Sequence, residues 1–260
     1  MDITKGLTTA FRTLTIISLP WKEGDDLSLS LPWFPVVGLV LGLILYAVAW
    51  IWTLLPFSQW PAGAALFVVA TETWLTRGLH LDGLADWADS IAGGKDRENR
   101  LAIMKDVQLG AFGVMALILA LMAKWIALER ILSAGSAIWL LVILILSRDM
   151  MVELITTLPY ARSGGGMGRA FVKGASARHR LISHLLSLGL CLSFGPLALA
   201  FIIFAGVITG LFRRRCKIRF GGITGDLMGT ANEMVEISLL GICALGGKDI
   251  LCYTGWAWIF

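Results

Sequence analysis

Long apolar runs separated by short polar loops set the layout of this chain. Residues 34–55 pass 22 positions without an Asp, Glu, Lys or Arg, enough helix to cross a hydrocarbon core of about 30 Å. Further apolar runs occupy about 62–78, 109–128, 137–158 and 223–245, and 181–212 is a long run broken by Gly195-Pro196. That break predicts two short helices of about 16 residues packed as a hairpin. Counting them gives an all-α, polytopic transmembrane bundle of about seven spans. Residues 3–19 mix apolar and polar positions and predict an additional helix lying in the membrane interface, with Arg12 at the headgroups. Residues 249–260 are aromatic but too short to cross alone; Trp256 and Trp258 suit an interfacial anchor.

The loops fall into two classes. Turns at 56–61, 129–136 and near 195 are short and carry few charges, whereas 79–108, 160–180 and 213–222 are longer and basic. Of 22 Lys and Arg, Arg130 and Lys248 sit on the first side and Lys124 lies near it; the others lie on or toward the second. By the positive-inside bias the second side is the cytoplasm. No long apolar stretch precedes Pro20, so a cleaved signal peptide is not expected.

Composition agrees with this reading. The chain is 57% hydrophobic and 15% charged with mean hydropathy +0.78, against about 25% charged residues in soluble domains. Its 260 residues leave no room for a large soluble unit, so 1–260 is one integral membrane domain. The net charge of +4 arises from loop residues and is not a nucleic-acid signal. Cys191, Cys216, Cys243 and Cys252 form no CxxC pair and read as small apolar residues.

Candidate chemistry begins at His80-Leu81-Asp82-Gly83-Leu84-Ala85-Asp86-Trp87-Ala88-Asp89. Asp82, Asp86 and Asp89 share one helical face within roughly 60° of arc. Three like charges beside an apolar span call for a cation, and carboxylate oxygens suit Mg²⁺ or Mn²⁺. Glu72 and Arg77 lie just before them, either as a structural pair or with Glu72 in the site. His80 reads as a phosphate contact, an acid–base group or a hydrogen-bonded structural residue. Lys105-Asp106 and the segment from Gly93 to Arg100 combine glycine and basic residues that hold phosphate, or that meet anionic lipid. Arg162 to Arg169 encloses a glycine run, without the ending of a Walker A loop. Gly221 to Asp226, followed by Asn232, Glu233 and Glu236, repeats the pattern of glycines before acids on a helix. Asp226 and Glu233, seven apart, face the same way and read as a second half of the metal site. Metal-bridged phosphate and basic loops on one membrane face are the parts of phosphoryl transfer.

These segments resemble the cobalamin synthase family, the adenosylcobinamide-GDP ribazoletransferases. The likeness lies in Thr76 to Asp86 with Asp89 and Gly93-Gly94, in Met104-Lys105-Asp106 through Gly113, in Tyr160-Ala161-Arg162 with its glycines, and in Gly221 to Asp226 with Glu233 and Glu236. Phe11 to Pro20 looks like the family's opening, and Val107-Gln108 departs from its pattern. The resemblance implies a Mg²⁺-dependent enzyme of the cell inner membrane that joins adenosylcobinamide-GDP to α-ribazole or its 5′-phosphate and releases GMP. It implies metal binding by Asp82, Asp86, Asp89, Asp226 and Glu233. Asp82, His80 and Lys105 are the catalytic candidates, and Arg77, Lys105, Asp106, Arg162 and Arg169 the substrate-binding ones. The partners it implies are the two substrates and the lipid bilayer, with no nucleic acid, and it allows other cobamide-pathway enzymes.

Two other readings compete. A CDP-alcohol phosphotransferase-like lipid enzyme also sets spaced aspartates on membrane helices, but Gly93-Gly94-Lys95-Asp96 does not continue that family's pattern. A divalent-cation transporter predicts acids at mid-membrane and needs no phosphate-binding loop.

Overall fold

A computed structural model describes residues 3–256, and Trp258 lies outside them. The chain folds as a helical bundle. Among the described residues the one β pairing is a single bridge, Tyr160 with Ile223. Helix α1 (Ile3–Leu14) and a 3₁₀ segment (Leu27–Trp33) lead into α2 (Phe34–Thr53) and α3 (Pro61–Leu75). Two shorter helices follow, α4 (Leu79–Gly93) and α5 (Arg97–Ile103), then the long α6 (Ala111–Ser133) and α7 (Trp139–Thr157). The second half contains α8 (Met167–Gly174), α9 (Ala177–Leu192), α10 (Leu197–Phe220) and α11 (Gly225–Gly246).

Helix α7 is the axis. Its residues are buried almost without interruption from Trp139 to Ile155, so it is covered on all sides, as an all-round apolar helix requires. Its closest neighbours are α2 and α11. Gly38 and Gly42 of α2 press on α7: a Cβ at Gly42 would sit 2.8 Å from the Leu141 Cα, and one at Gly38 would overlap the Leu144 carbonyl. Small residues one turn apart let the two backbones touch, as in membrane helix pairs. The charges on α7 are all partnered. Arg148 meets Glu72 and Glu236; Asp149 accepts from Ser183 at 2.6 Å; Glu153 lies 3.1 Å from Arg213.

The expected seven spans are not reproduced. Four helical stretches are long and apolar enough to cross a membrane: Leu27–Thr53, Ala111–Ser133, Leu197–Phe220 and Gly225–Gly246, with Pro61–Leu75 a shorter apolar helix. Helix α7 carries three charges and α9 has a polar first turn of Arg178, His179 and Arg180, which removes both from the purely apolar class. The outer faces of α6 and α10 are apolar and exposed, with Leu119 at 67% and Ile203 at 68%. Such surfaces fit lipid rather than water.

Two loops are more helical than their composition predicts. The basic run Arg213 to Arg219, expected as loop, forms the last turns of α10, which stops at the left-handed Gly221 (φ 71°). Arginine and lysine are good helix formers and extend their charges away from an apolar stem. Within 160–180, α8 forms and packs Phe171 into the core. Helix α1 is not a free interfacial element either: Thr8, Ala10, Phe11 and Leu14 are buried, chiefly against the 3₁₀ segment.

The bundle has two different ends. At one, Arg130 donates to Ala244 O at 2.6 Å, Gly255 N to Phe194 O at 2.8 Å, and Trp256 Nε1 to Leu192 O at 2.9 Å. The short turns therefore close on one another there. The acidic and basic segments gather at the other end.

Candidate active site

Helix α4 begins after a left-handed pair, Arg77 (φ 56°) and Gly78 (φ 64°), which reverses the chain directly out of α3. The reversal lays α4 along α11, its principal packing partner. Contact is close because Gly83 has no side chain: a Cβ there would fall 2.5 Å from the Asp226 carbonyl oxygen. Thr230 Oγ1 donates to Gly83 O at 2.9 Å and fixes the crossing. Asp82 and Asp86, on either side of this crossing along α4, are thereby brought to the start of α11, where Asp226 lies in the first turn.

A second strand of the chain delivers a cation to the same point. Ala161 N donates to Ile223 O and Ile223 N to Pro159 O, each at 2.9 Å. This bridge sets Arg162 beside α11, where its Nη2 donates to Asp226 Oδ2 at 2.7 Å and to Met104 O at 3.0 Å. Arg97 Nη2 donates to Ala161 O at 3.1 Å, so α5 is tied to the same loop. Thr224 caps α11 by accepting from Leu227 N at 3.2 Å.

The carboxylates sense one another. Burial, then the charges of Asp226 and Asp82, push the Asp86 carboxyl up to about 7. A divalent cation relieves this kind of repulsion, and an all-oxygen donor set suits Mg²⁺. As the side chains stand, no three His, Cys, Asp or Glu among the described residues are close enough to ligate one ion. Asp82 is exposed and Asp86 half-buried.

Two members of the expected metal set lie elsewhere. Asp89 accepts from Gly110 N and Gly113 N, both at 2.8 Å, and so caps the N-terminus of α6. A carboxylate between two amides at a helix start is already well compensated. Glu233 faces the bundle interior, 2.9 Å from Lys124 Nζ. Seven residues bring Asp226 and Glu233 to similar angles but leave them about 10 Å apart along the helix.

The remaining candidates divide similarly. Arg77 does not pair with Glu72; its Nη2 donates to Arg12 O at 3.0 Å and holds the end of α1. Asp106 accepts from Gln108 N at 3.1 Å in a local turn. Arg169 is exposed on α8. Lys105 lines a cleft with Arg97 and Arg162. His80 is buried, with Arg148, Glu236 and Lys124 as the charges around it, and its Nε2 has no hydrogen-bond partner. Burial, then the Arg148 charge, lower its pKa to about 3, so the imidazole is neutral at ordinary pH.

The basic segment from Gly93 to Arg100 contributes Arg97 to the cleft, but sequence reasoning missed Lys124 and Arg148 as the partners of Glu72, Glu233 and Glu236. The signal was present: a Lys or Arg within an apolar helix demands a buried acid.

No solved structure matches the chain. Among curated proteins, it is 44% identical over 238 residues to an adenosylcobinamide-GDP ribazoletransferase of Prosthecochloris aestuarii, covering 89% of this chain and 94% of that one. It is 40% identical over 255 residues to the protein of that name in Chlorobium chlorochromatii, covering 95% and 99%. A third, from Chlorobium phaeobacteroides, is 40% identical over 240 residues, covering 90% and 94%. The family model described as cobalamin-5-phosphate synthase matches residues 6–244, nearly the whole chain, with the α4 aspartates, the Arg162 loop and the start of α11 all inside the match. This chain therefore belongs to the cobalamin-5-phosphate synthase family.

Proposed function

We propose that this transferase carries out the reaction its relatives are named for, the final joining step of cobalamin assembly. A ribose hydroxyl of α-ribazole, or of its 5′-phosphate, attacks the cobinamide-linked phosphorus of adenosylcobinamide-GDP. The bond from that phosphorus to the GMP oxygen breaks, GMP departs, and a phosphodiester to adenosylcobinamide forms. The observation that carries this reading is the meeting of Asp82 and Asp86 with Asp226 across the α4–α11 crossing, with Arg162 donating to Asp226 at 2.7 Å.

Each group has a task in that chemistry. Asp82, exposed at the α4–α11 crossing, takes the hydroxyl proton. Arg162 and Lys105 hold diphosphate oxygens, and Arg162 can move from Asp226 to phosphate because both are oxyanions. Asp82, Asp86 and Asp226 would hold Mg²⁺. When bound, that ion supplies positive charge to the diphosphate and to the departing GMP. The basic loops at this end support a cytoplasmic site in the inner membrane.

The test uses purified protein with adenosylcobinamide-GDP, α-ribazole and Mg²⁺, with GMP as the readout. GMP appears only with both substrates and stops on adding a chelator; Asp82→Asn abolishes it while the protein still folds. Normal turnover in chelator removes the metal from the mechanism. Normal turnover in Asp82→Asn removes that residue's role.

A further inference from the structure

Two cavities share Arg162 in their lining, and their chemistry differs. The first, about 210 Å³, lies between α7, α8 and the start of α11. Phe34, Met151, Ile155, Tyr160 and Phe171 form its walls, and His80, Asp82 and Asp226 its polar side. Phe171 stands edge-on to Phe34, ring centroids 6.1 Å apart, so the aromatic wall is fixed. The second is wider, about 610 Å³, and is lined by Arg97, Lys105, Arg162, Ser163 and the glycines after it. Arg162 borders both.

The substrates differ in the same way. One is a small nucleoside with a flat, apolar aromatic base; the other carries a nucleoside diphosphate on a corrinoid. Small-molecule sites pair apolar walls with a few placed polar groups, and phosphate oxygens are met by arginine and lysine. We propose that the acceptor nucleoside binds in the apolar cavity, its base against Tyr160 and Phe171 and its ribose toward Asp82. The GDP part of the donor binds in the Arg97–Lys105 cleft, and the two reacting groups meet at Arg162. The inference rests on the proposed reaction and adds to it which cavity takes which substrate.

Exposure favours the same division. Lys105 in the basic cleft is exposed and suited to a charged, hydrated ligand, whereas Phe171 of the apolar cavity is 4% exposed. The apolar cavity is also too small for a corrin ring, which leaves the corrinoid outside it.

The test is equilibrium binding to the full chain in detergent, with α-ribazole and GDP as separate probes. Met151→Trp fills the apolar cavity. It is expected to weaken α-ribazole about tenfold or more and to leave GDP affinity unchanged. Arg97→Gln with Lys105→Gln is expected to do the reverse. Met167→Trp, at a 67%-exposed residue on the mouth of the same cavity, gives the α-ribazole loss without burdening the core and serves if Met151→Trp does not fold. The division is overturned if the cavity variants weaken GDP instead, if they leave α-ribazole binding intact, or if the charge variant weakens α-ribazole. Wild-type turnover separates the two claims: no GMP release with both substrates defeats the reaction, whereas normal turnover with crossed binding losses defeats only the division.

Discussion

Lys124 Nζ, midway along α6, lies 2.6 Å from a carboxylate oxygen of Glu236 on α11. Glu236 in turn receives Arg148 of α7 at 2.6 Å, and Glu72 of α3 meets Lys124 at 3.3 Å and Arg148 at 3.1 Å. With Glu233 this makes one buried cluster of two cations and three carboxylates joining four helices. Desolvating five charges is costly, and only mutual pairing offsets it. The cluster is therefore a fastener for the bundle, and it claims two acids, Glu72 and Glu233, that the sequence offers to the active site.

Removing one partner leaves the others uncompensated. Lys124→Met is expected to cost about 3–5 kcal/mol and to lower the yield of folded protein. Thermal unfolding in detergent measures it. A melting curve unchanged from wild type would show that the cluster does not fasten the helices.

Glu233 and Asp226 share α11 but meet different partners, Lys124 and Arg162. Glu233→Gln should lower the melting temperature while Mg²⁺ affinity of the folded fraction stays near wild type. Asp226→Asn should weaken Mg²⁺ about tenfold or more with little change in melting, since one charged ligand is lost. Metal titration followed by protein fluorescence checks both. Equal loss of affinity in the two variants would return Glu233 to the metal site.

How far the sequence reaches can be seen on α4 and α11. Asp82 and Asp86 were legible because spacing along one helix places side chains on one face whatever the tertiary fold. Asp226 was legible because glycines precede an acid at a helix start. The helical class followed from the length of apolar runs. The meaning of Asp89 was not legible: its partners, Gly110 and Gly113, lie on the next long helix, and a three-acid stripe looks the same whether its last member binds metal or amides. The same holds for Glu233, whose partner Lys124 is more than a hundred residues away. The seven-span count is not confirmed at α7, with its internal charges, and at α9, with its basic first turn.

Asp89 makes its own prediction. A Cβ at Gly110 or Gly113 would overlap the Asp89 carboxylate, so the carboxylate fits tightly over the start of α6. Asp89→Ala is expected to cost about 1–2 kcal/mol, the loss of a helix cap. Mg²⁺ affinity should stay within about twofold, against about tenfold for loss of a direct ligand. If Asp89→Ala instead keeps its stability and loses Mg²⁺, the carboxylate leaves the cap to bind metal.

The crossing at Gly83 links packing to chemistry, and a volume series tests it. Gly83→Ala adds one carbon that would lie 2.5 Å from the Asp226 carbonyl, so α4 must move away from α11. Overpacking of this kind costs about 1–3 kcal/mol. The larger effect should be on turnover, because Asp82 and Asp86 move with α4 while Asp226 and Arg162 stay with α11. An error of 1 Å in a reacting geometry costs about 10²-fold in rate. GMP release by Gly83→Ala should therefore fall about a hundredfold, with melting lowered only by the overpacking cost, and Gly83→Val should be worse on both counts. A control sits on α11 itself: Gly241, where an added Cβ meets nothing within 4 Å, should accept Ala with normal turnover. If Gly83→Ala turns over like wild type, the close crossing of α4 and α11 does not set the distance between the aspartates, and Asp226 acts apart from Asp82 and Asp86.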